Sequence, residues 1–187
     1  MPICRVYVMI LKNRQTSEIH MGKKGTLIFF CGKMGSGKST LSRKISPIGN
    51  AILISEDEWL KTLYPTEIMN FEDYLKYSSR LKVIIKPHVQ NILNSGVSVV
   101  MDFPGNTEKQ RVWFKKIYTE YGFPHKLMYI EASDNLCIRH IKKRAKTNPQ
   151  RAQFDTEDIF HQVTGYFQPP SEHECFTIEI VRSENSS

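Results

Sequence analysis

Residues 26–40 read TLIFFCGKMGSGKST, and the reading of the whole chain starts from them. Residues 26–31 are a short run of β-branched, aromatic and apolar side chains, the pattern of a strand buried on both faces. Gly32 ends that run. Gly32, Lys33, Met34, Gly35, Ser36, Gly37, Lys38 and Ser39 then satisfy G-x-x-x-x-G-K-[ST] without a mismatch. The glycines let the backbone curl, so that successive N–H groups converge on one concavity. A helix opening near Gly37 and carrying Ser39 and Thr40 adds its unpaired amides and the positive end of its dipole. Lys38 supplies a mobile point charge for outer phosphates, and the Ser39 hydroxyl suits one position on Mg2+. An incidental Gly/Ser turn would need neither the strand before it nor the helix after it. Residues 32–40 are therefore expected to bind a nucleotide triphosphate, ATP or GTP.

The rest of the composition is that of a globular protein. At 187 residues, with 40% hydrophobic and 24% charged side chains, the chain suits one domain with a sizeable core. No apolar run approaches membrane-spanning length. The patch at 6–11 is too short for a signal-peptide core and lacks a cleavage site. A cytoplasmic monomer is the expectation. Cys4, Cys31, Cys137 and Cys175 are scattered, with no C-x-x-C pair and no zinc spacing. The net charge of +7 raises nucleic acid as a partner, but residues 1–24 alone carry five Lys/Arg against one acid. A second basic cluster runs from Arg139 through Lys142, Lys143, Arg144 and Lys146 to Arg151. Little aromatic content interleaves with it, so a nucleic-acid end is a less favoured partner.

Outward from the phosphate loop, strands and helices alternate. The helix after the loop is expected to stop at Ser46-Pro47. Residues 51–55 (AILIS) form a second strand, and Ser55 with Glu58 reads as a capping box for the next helix. The acids Glu56, Asp57 and Glu58 suit the positive end of that helix. Asp57 also stands at a strand tip, where open α/β sheets bind ligands. Residues 71–94 are one long helix with His88 on its inner stripe. Residues 97–102 (VSVVMD) are a third strand ending in an acid, the arrangement in which Asp102 holds Mg2+. Asn106 or Thr107 caps the helix at 108–121, placing Gln110 and Arg111 near the mouth of the site. Residues 125–131 form a fourth strand, 134–146 a basic helix, 155–165 a last helix and 175–181 a closing strand. Residues 1–24 show no periodicity, so they read as an extension, poorly ordered, with Met21 as the natural start; an edge strand or targeting arm is the other reading. Residues 183–187 read as a frayed tail.

Taken together, GKMGSGKST at 32–40, SEDEW at 55–59, VVMDFPGNTEKQR at 99–111 and LCIRHIKKR at 136–144 make the chain resemble a P-loop kinase. The resemblance is closest to the branch of zeta toxins, chloramphenicol phosphotransferase and polynucleotide 5′-hydroxyl kinases, together with bacterial AAA-family ATP-binding proteins. It implies a three-layer α/β P-loop NTPase fold over residues 25–182, with a mostly parallel five-stranded sheet. It implies ATP and Mg2+ as ligands, Lys38 among the catalytic groups, and Asp57 as general base toward an acceptor hydroxyl. It places Asp102 beside Ser39 on the metal, and Arg139 and Arg144 in a lid over the phosphates. Some members carry D-x-x-R after the second strand; here Leu60 stands at the arginine's place. The expected activity is ATP-dependent phosphoryl transfer to a hydroxyl. Leu60 keeps open a second class, a nucleotide switch or slow NTPase with a protein partner.

A chain starting at Met21 is expected to keep the thermal stability and ATP affinity of the full chain. A clear fall in melting temperature on removing residues 1–20 would mean that the patch at 6–11 packs on the domain.

Overall fold

The computed structural model describes residues 23–148, 152 and 154–182. The readings of 1–22 and 183–187, and most of the loop at 149–153, lie outside the described residues. The elements run β1 (Leu27–Cys31), α1 (Lys38–Ile48), β2 (Ile52–Ser55), α2 (Glu56–Leu63), α3 (Phe71–Asn94), β3 (Val99–Pro104) and α4 (Glu108–Thr119). They continue with β4 (His125–Glu131), α5 (Asp134–Thr147), α6 (Glu157–Thr164), a 3-10 turn at Glu172–Glu174 and β5 (Ile178–Arg182). Among the described residues no helix is long and apolar enough to cross a membrane.

The strands form one sheet in the order β2-β3-β1-β4-β5. Every neighbouring pair is parallel, where a mostly parallel sheet was expected. Alternation along β1 explains the layers. Leu27, Phe29 and Cys31 point to one face, where Leu60 of α2, Leu81 and Ile85 of α3 and Phe114 of α4 cover them. Phe30 points to the other, with Val100, Met128 and Ile130, and Leu41 and Ile45 of α1 pack there. Helices on both faces of a parallel sheet make the three-layer α/β architecture of P-loop NTPases. Because all strands run the same way, the loops after β1, β2 and β3 open at one end of the sheet.

Several boundaries differ from the sequence reading. α1 does not stop at Pro47 but runs to Ile48, where the Gly49 N–H donates to Ile45 O at 3.0 Å. Pro47 gives up one intrahelical bond, to Arg43 O, and the N–H groups of Gly49, Asn50 and Ala51 close the last turn on the carbonyls of Ile45, Pro47 and Ser46. Thr107, not Asn106, caps α4, and Gln110 completes its capping box. The Ser55–Glu58 box does not form: the Ser55 side chain makes no cap bond, and Glu58 instead pairs with Arg43 at 2.8 Å. His88 is exposed rather than internal; the inner stripe of α3 is Ser78, Leu81, Ile85, Val89, Gln90 and Leu93.

The largest correction concerns Arg111. It is not at a mouth but fully buried, 0% exposed. Its Nε and Nη2 donate to Glu174 at 2.7 and 2.8 Å, a two-point pair. Nη1 donates to Gln168 O at 2.7 Å and Gly105 O at 3.1 Å. One guanidinium thus joins α4, the turn after β3 and the segment that leads into β5. Burial alone would push the Glu174 carboxyl up; the bonds from Arg111 and Ser171 outweigh it and hold it below its ordinary 4.5.

Removing one partner of such a pair leaves an uncompensated buried charge. Glu174→Gln is therefore expected to lower stability at neutral pH by about 3–5 kcal/mol. Because the folded-state carboxyl is depressed, its contribution is complete above the ordinary value of 4.5 and is lost as pH falls through the folded value. Urea unfolding across pH 3–7 should show the gap between wild type and variant closing toward acid.

Candidate active site

The loop between β1 and α1 has the backbone its glycines were expected to supply. Gly35 and Gly37 take φ of 77° and 103°, conformations that other residues enter at a cost. A Cβ on Gly35 would also meet Cys137 O of α5 at 2.5 Å. Lys38 folds its amine back over the loop, donating to Gly32 O at 2.5 Å and Lys33 O at 2.9 Å. Burial lowers its pKa from 10.5 to about 8. The Ser36 hydroxyl is buried and has no hydrogen-bond partner among the described residues. An orphaned hydroxyl in a loop whose glycines hold positive φ fits a cradle for phosphate oxygens.

α5 holds this loop from outside. Lys33 pairs with Asp134 at 2.5 Å, His140 Nδ1 lies 2.8 Å from Gly35 O, and Met34 packs against Cys137, Ile141 and Phe160. Cys31, at the end of β1, is a packing residue: burial pushes its thiol up to about 11, far from thiolate chemistry.

The strand tips gather beside the loop. The Ser39 hydroxyl donates to Asp102 Oδ1 at 3.1 Å, and Ser55, paired in register with Asp102, reaches Oδ2 at 3.5 Å. Octahedral Mg2+ with ligands at about 2.0–2.1 Å puts neighbouring oxygens about 2.9 Å apart, so the Ser39–Asp102 edge fits that ion. Among the described residues no group of three His, Cys, Asp or Glu converges, so phosphate oxygens and water would supply its other ligands. Burial raises the Asp102 pKa; the Ser39 bond opposes this, and the negative charge of Asp57 adds to it. Asp57 itself is exposed, two residues beyond the tip of β2.

The remaining residues singled out from sequence divide. Arg144 lies on the loop side of α5, close enough for its charge to act on Lys38. Asp155 grips it through Nε at 2.6 Å and Nη2 at 2.5 Å. Arg139 is exposed on the opposite side of α5 and is not brought to the loop. Thr40 is exposed on α1, and Leu60 is a core residue.

Two residues had no functional reading in the sequence. Glu56 is 1% exposed, and its carboxylate accepts from Tyr74 Oη at 2.5 Å and Ser78 Oγ at 2.6 Å, which pins the start of α2 to α3. Asn106 Oδ1 accepts the Gly32 N–H at 3.2 Å, tying the turn after β3 to the first amide of the phosphate loop. Asn106 is itself fixed: its N–H donates to Gln110 Oε1 at 2.8 Å, and its carbonyl accepts from Gln168 N at 2.9 Å. Its only sequence signal was a cap-forming residue after Pro-Gly.

An AAA domain model matches residues 27–170. The chain belongs to that AAA domain family. No curated protein matches its sequence. Among solved structures, this AAA domain chain is similar to APE1195, with 22% identity, 88% of each chain covered and a TM-score of 0.63. It is also similar to the APS kinase CysC of Mycobacterium tuberculosis, solved with AMPPNP and APS, at 15% identity and a TM-score of 0.57 over 88% of this chain and 91% of that one. A sugar kinase from Janibacter sp. follows, at 11% identity and a TM-score of 0.56 over 85% of each. The likeness is one of fold, and the fold is that of P-loop kinases.

Lys38→Ala is expected to abolish tight ATP binding with little change in thermal unfolding, since Lys38 lies in the loop and outside the apolar core. Asn106→Ala should weaken ATP binding by roughly 3–10-fold, the worth of one hydrogen bond. Thr107→Val removes the α4 cap without touching Gly32 and should lower the melting temperature only. ATP calorimetry beside thermal melts distinguishes the three.

Proposed function

We propose that the chain is an ATP-dependent phosphotransferase acting on a hydroxyl, related to the zeta-toxin, chloramphenicol phosphotransferase and polynucleotide 5′-hydroxyl kinase branch. The observation that carries this reading is that Ser39, in the first turn of α1, and Asp57, in the first turn of α2, both act on Asp102 of β3 beside the loop. The loop amides and Lys38 hold the β- and γ-phosphates. Ser39 and Asp102 hold Mg2+, which when bound supplies charge neutralisation to those phosphates. Asp57, exposed and beyond the metal edge, accepts the proton of the acceptor hydroxyl. Glu56 keeps the first turn of α2 in place and so keeps Asp57 aimed. Arg144 has Nη1 without a protein partner among the described residues, a donor available to the transferred phosphoryl group. The APS kinase solved with AMPPNP and APS supports this fold's capacity to seat a nucleotide and an acceptor together.

A second reading, a nucleotide switch or slow NTPase, is favoured by Leu60 alone. That side chain is 2% exposed and offers no grip on a substrate where some members of the resembled branch carry arginine.

The two aspartates separate these readings. Asp102→Asn should weaken Mg2+-dependent ATP binding and depress all turnover, slow hydrolysis included. Asp57→Asn should leave Mg·ATP affinity nearly unchanged and slow transfer to an acceptor by about 10²–10⁴-fold. The measurement is Mg·ATP affinity and label transfer from γ-labelled ATP across a library of hydroxyl compounds. Equal loss of affinity in both variants, with no compound accepting label from wild type, would favour the switch.

A further inference from the structure

The chain enters β5 through a short strap, residues 175–177, that is held at both ends. Just before it, Glu174 is fixed by Arg111. Cys175 then takes φ of 57°, a left-handed conformation that is costly for a residue with a side chain. Phe176 lays its ring among Phe29, Tyr118 and His125, with centroids 5.6, 6.4 and 6.1 Å away. At the far end the Thr177 N–H donates to His125 Nε2 at 3.2 Å, and the Thr177 carbonyl accepts from Leu127 N at 2.8 Å. His125 is the first residue of β4, and its ring lies flat on Tyr118 of α4, with centroids 3.8 Å apart and 11° between planes.

The bond at Thr177 fixes the state of that ring. A backbone amide only donates, so Nε2 presents its lone pair and the single ring proton sits on Nδ1. A second proton has only Nε2 to go to, where it sets donor against donor and ends the bond. The surrounding charges add to this. From α4, Lys115 brings a like charge, its amine held on Glu174 O at 3.2 Å. Beside the ring on β4, Lys126 is neutralised by Glu179 of β5 at 2.6 Å. In the preceding turn Glu174 is committed to Arg111, and His173 is turned to Glu108 at 3.6 Å. The face of Tyr118 favours an imidazolium. Burial and Lys115 disfavour it and hold the ring below its ordinary 6.5.

We propose that His125 is an acid-released latch on the entry to β5. Neutral, it holds the Thr177 amide and keeps the strap closed. Protonated at Nε2, it drops that amide, and residues 175–177 swing out about Glu174, relieving the strain at Cys175. The Glu174 carboxyl is held below 4.5, so its pair with Arg111 persists while the latch opens. Because the folded ring's pKa is depressed, the latch contributes fully above the ordinary 6.5 and is lost as pH falls through the folded value. The device stands independently of the kinase reading.

The test is NMR of the 15N-labelled full chain between pH 7.5 and 5. At pH 7.5 the ring nitrogens of His125 should report the Nδ1–H tautomer. As the ring titrates, the Thr177 amide should lose protection from hydrogen exchange by roughly 3–10-fold after correction for the intrinsic rate, the worth of one hydrogen bond. Amides of the β1–β4 ladder should keep theirs. His125→Gln offers a neutral acceptor in place of Nε2 and should keep Thr177 protected across the range. Lys115→Gln should raise the pH at which ring and amide change together. The Nε2–H tautomer at pH 7.5 overturns the proposal. So does a Thr177 amide that keeps its protection through the titration, or one that loses it alike in His125→Gln. Equal loss across the β1–β4 ladder overturns it too, since that would be general loosening by acid. If His125→Gln fails to fold, the tautomer and the Thr177 amide of the wild type still decide.

Discussion

A single buried guanidinium constrains this fold more than any other group. Arg111 sits where α4, the turn after β3 and the approach to β5 meet, and its side chain is wholly buried from solvent. A charge in that position is tolerated only with a counter-charge and partners for its donors. Glu174 supplies the first, and the carbonyls of Gly105, Gln168 and Pro169 supply the rest. Those carbonyls belong to irregular backbone that would otherwise be short of donors, so one side chain solves two problems. The arrangement also reaches the site. Gly105 precedes Asn106, and Gln168 donates to the Asn106 carbonyl, so the residue that fixes Gly32 is itself fixed by the Arg111 neighbourhood.

The phosphate loop is thus gripped from two directions. Asn106 holds its first amide from the β3 side, and α5 closes on Gly35 through His140 and on Lys33 through Asp134. Between these grips the loop keeps its concavity, and Ser39 stays within reach of Asp102. Preorganisation of this kind spares a bound ligand the entropy of ordering a glycine-rich segment.

The sheet, its helices and the phosphate loop were legible in the sequence, because each rests on local pattern: apolar runs, glycine placement and a lysine–serine pair at fixed spacing. The place of Asp102 beside the loop was legible for the same reason, as the acid that ends an apolar run, although β3 continues past it to Pro104. What the sequence hid was long-range. Arg111 reads as a polar residue in the first turn of an amphipathic helix; its burial depends on Glu174, far along the chain, and on carbonyls that no propensity scale locates. Glu56 and Asp57 are adjacent acids of the same apparent kind, yet the first is buried against Tyr74 and Ser78 and the second is exposed, near enough for its charge to act on Asp102. Arg139 and Arg144 look interchangeable in LCIRHIKKR, but five residues turn a helix by about 140°, which sends one to each side of α5. His88 failed for a related reason: a stripe drawn from spacing is wider than the strip that contacts the core.

The all-parallel sheet also has a temporal side. Leu27 of β1 pairs with Val99 of β3 and His125 of β4, and with no strand nearer in the chain. Closing such distant pairs costs chain entropy before any ladder forms, which makes parallel topologies slow to assemble. During synthesis the run from Leu27 to Cys31 emerges before both of its partners, β3 and β4, and waits for them. It is apolar, β-prone and uncharged, the kind of segment that associates with its own copies when left exposed. The strand that carries the phosphate loop is thus central to the finished sheet and vulnerable until the second half of the domain has been made.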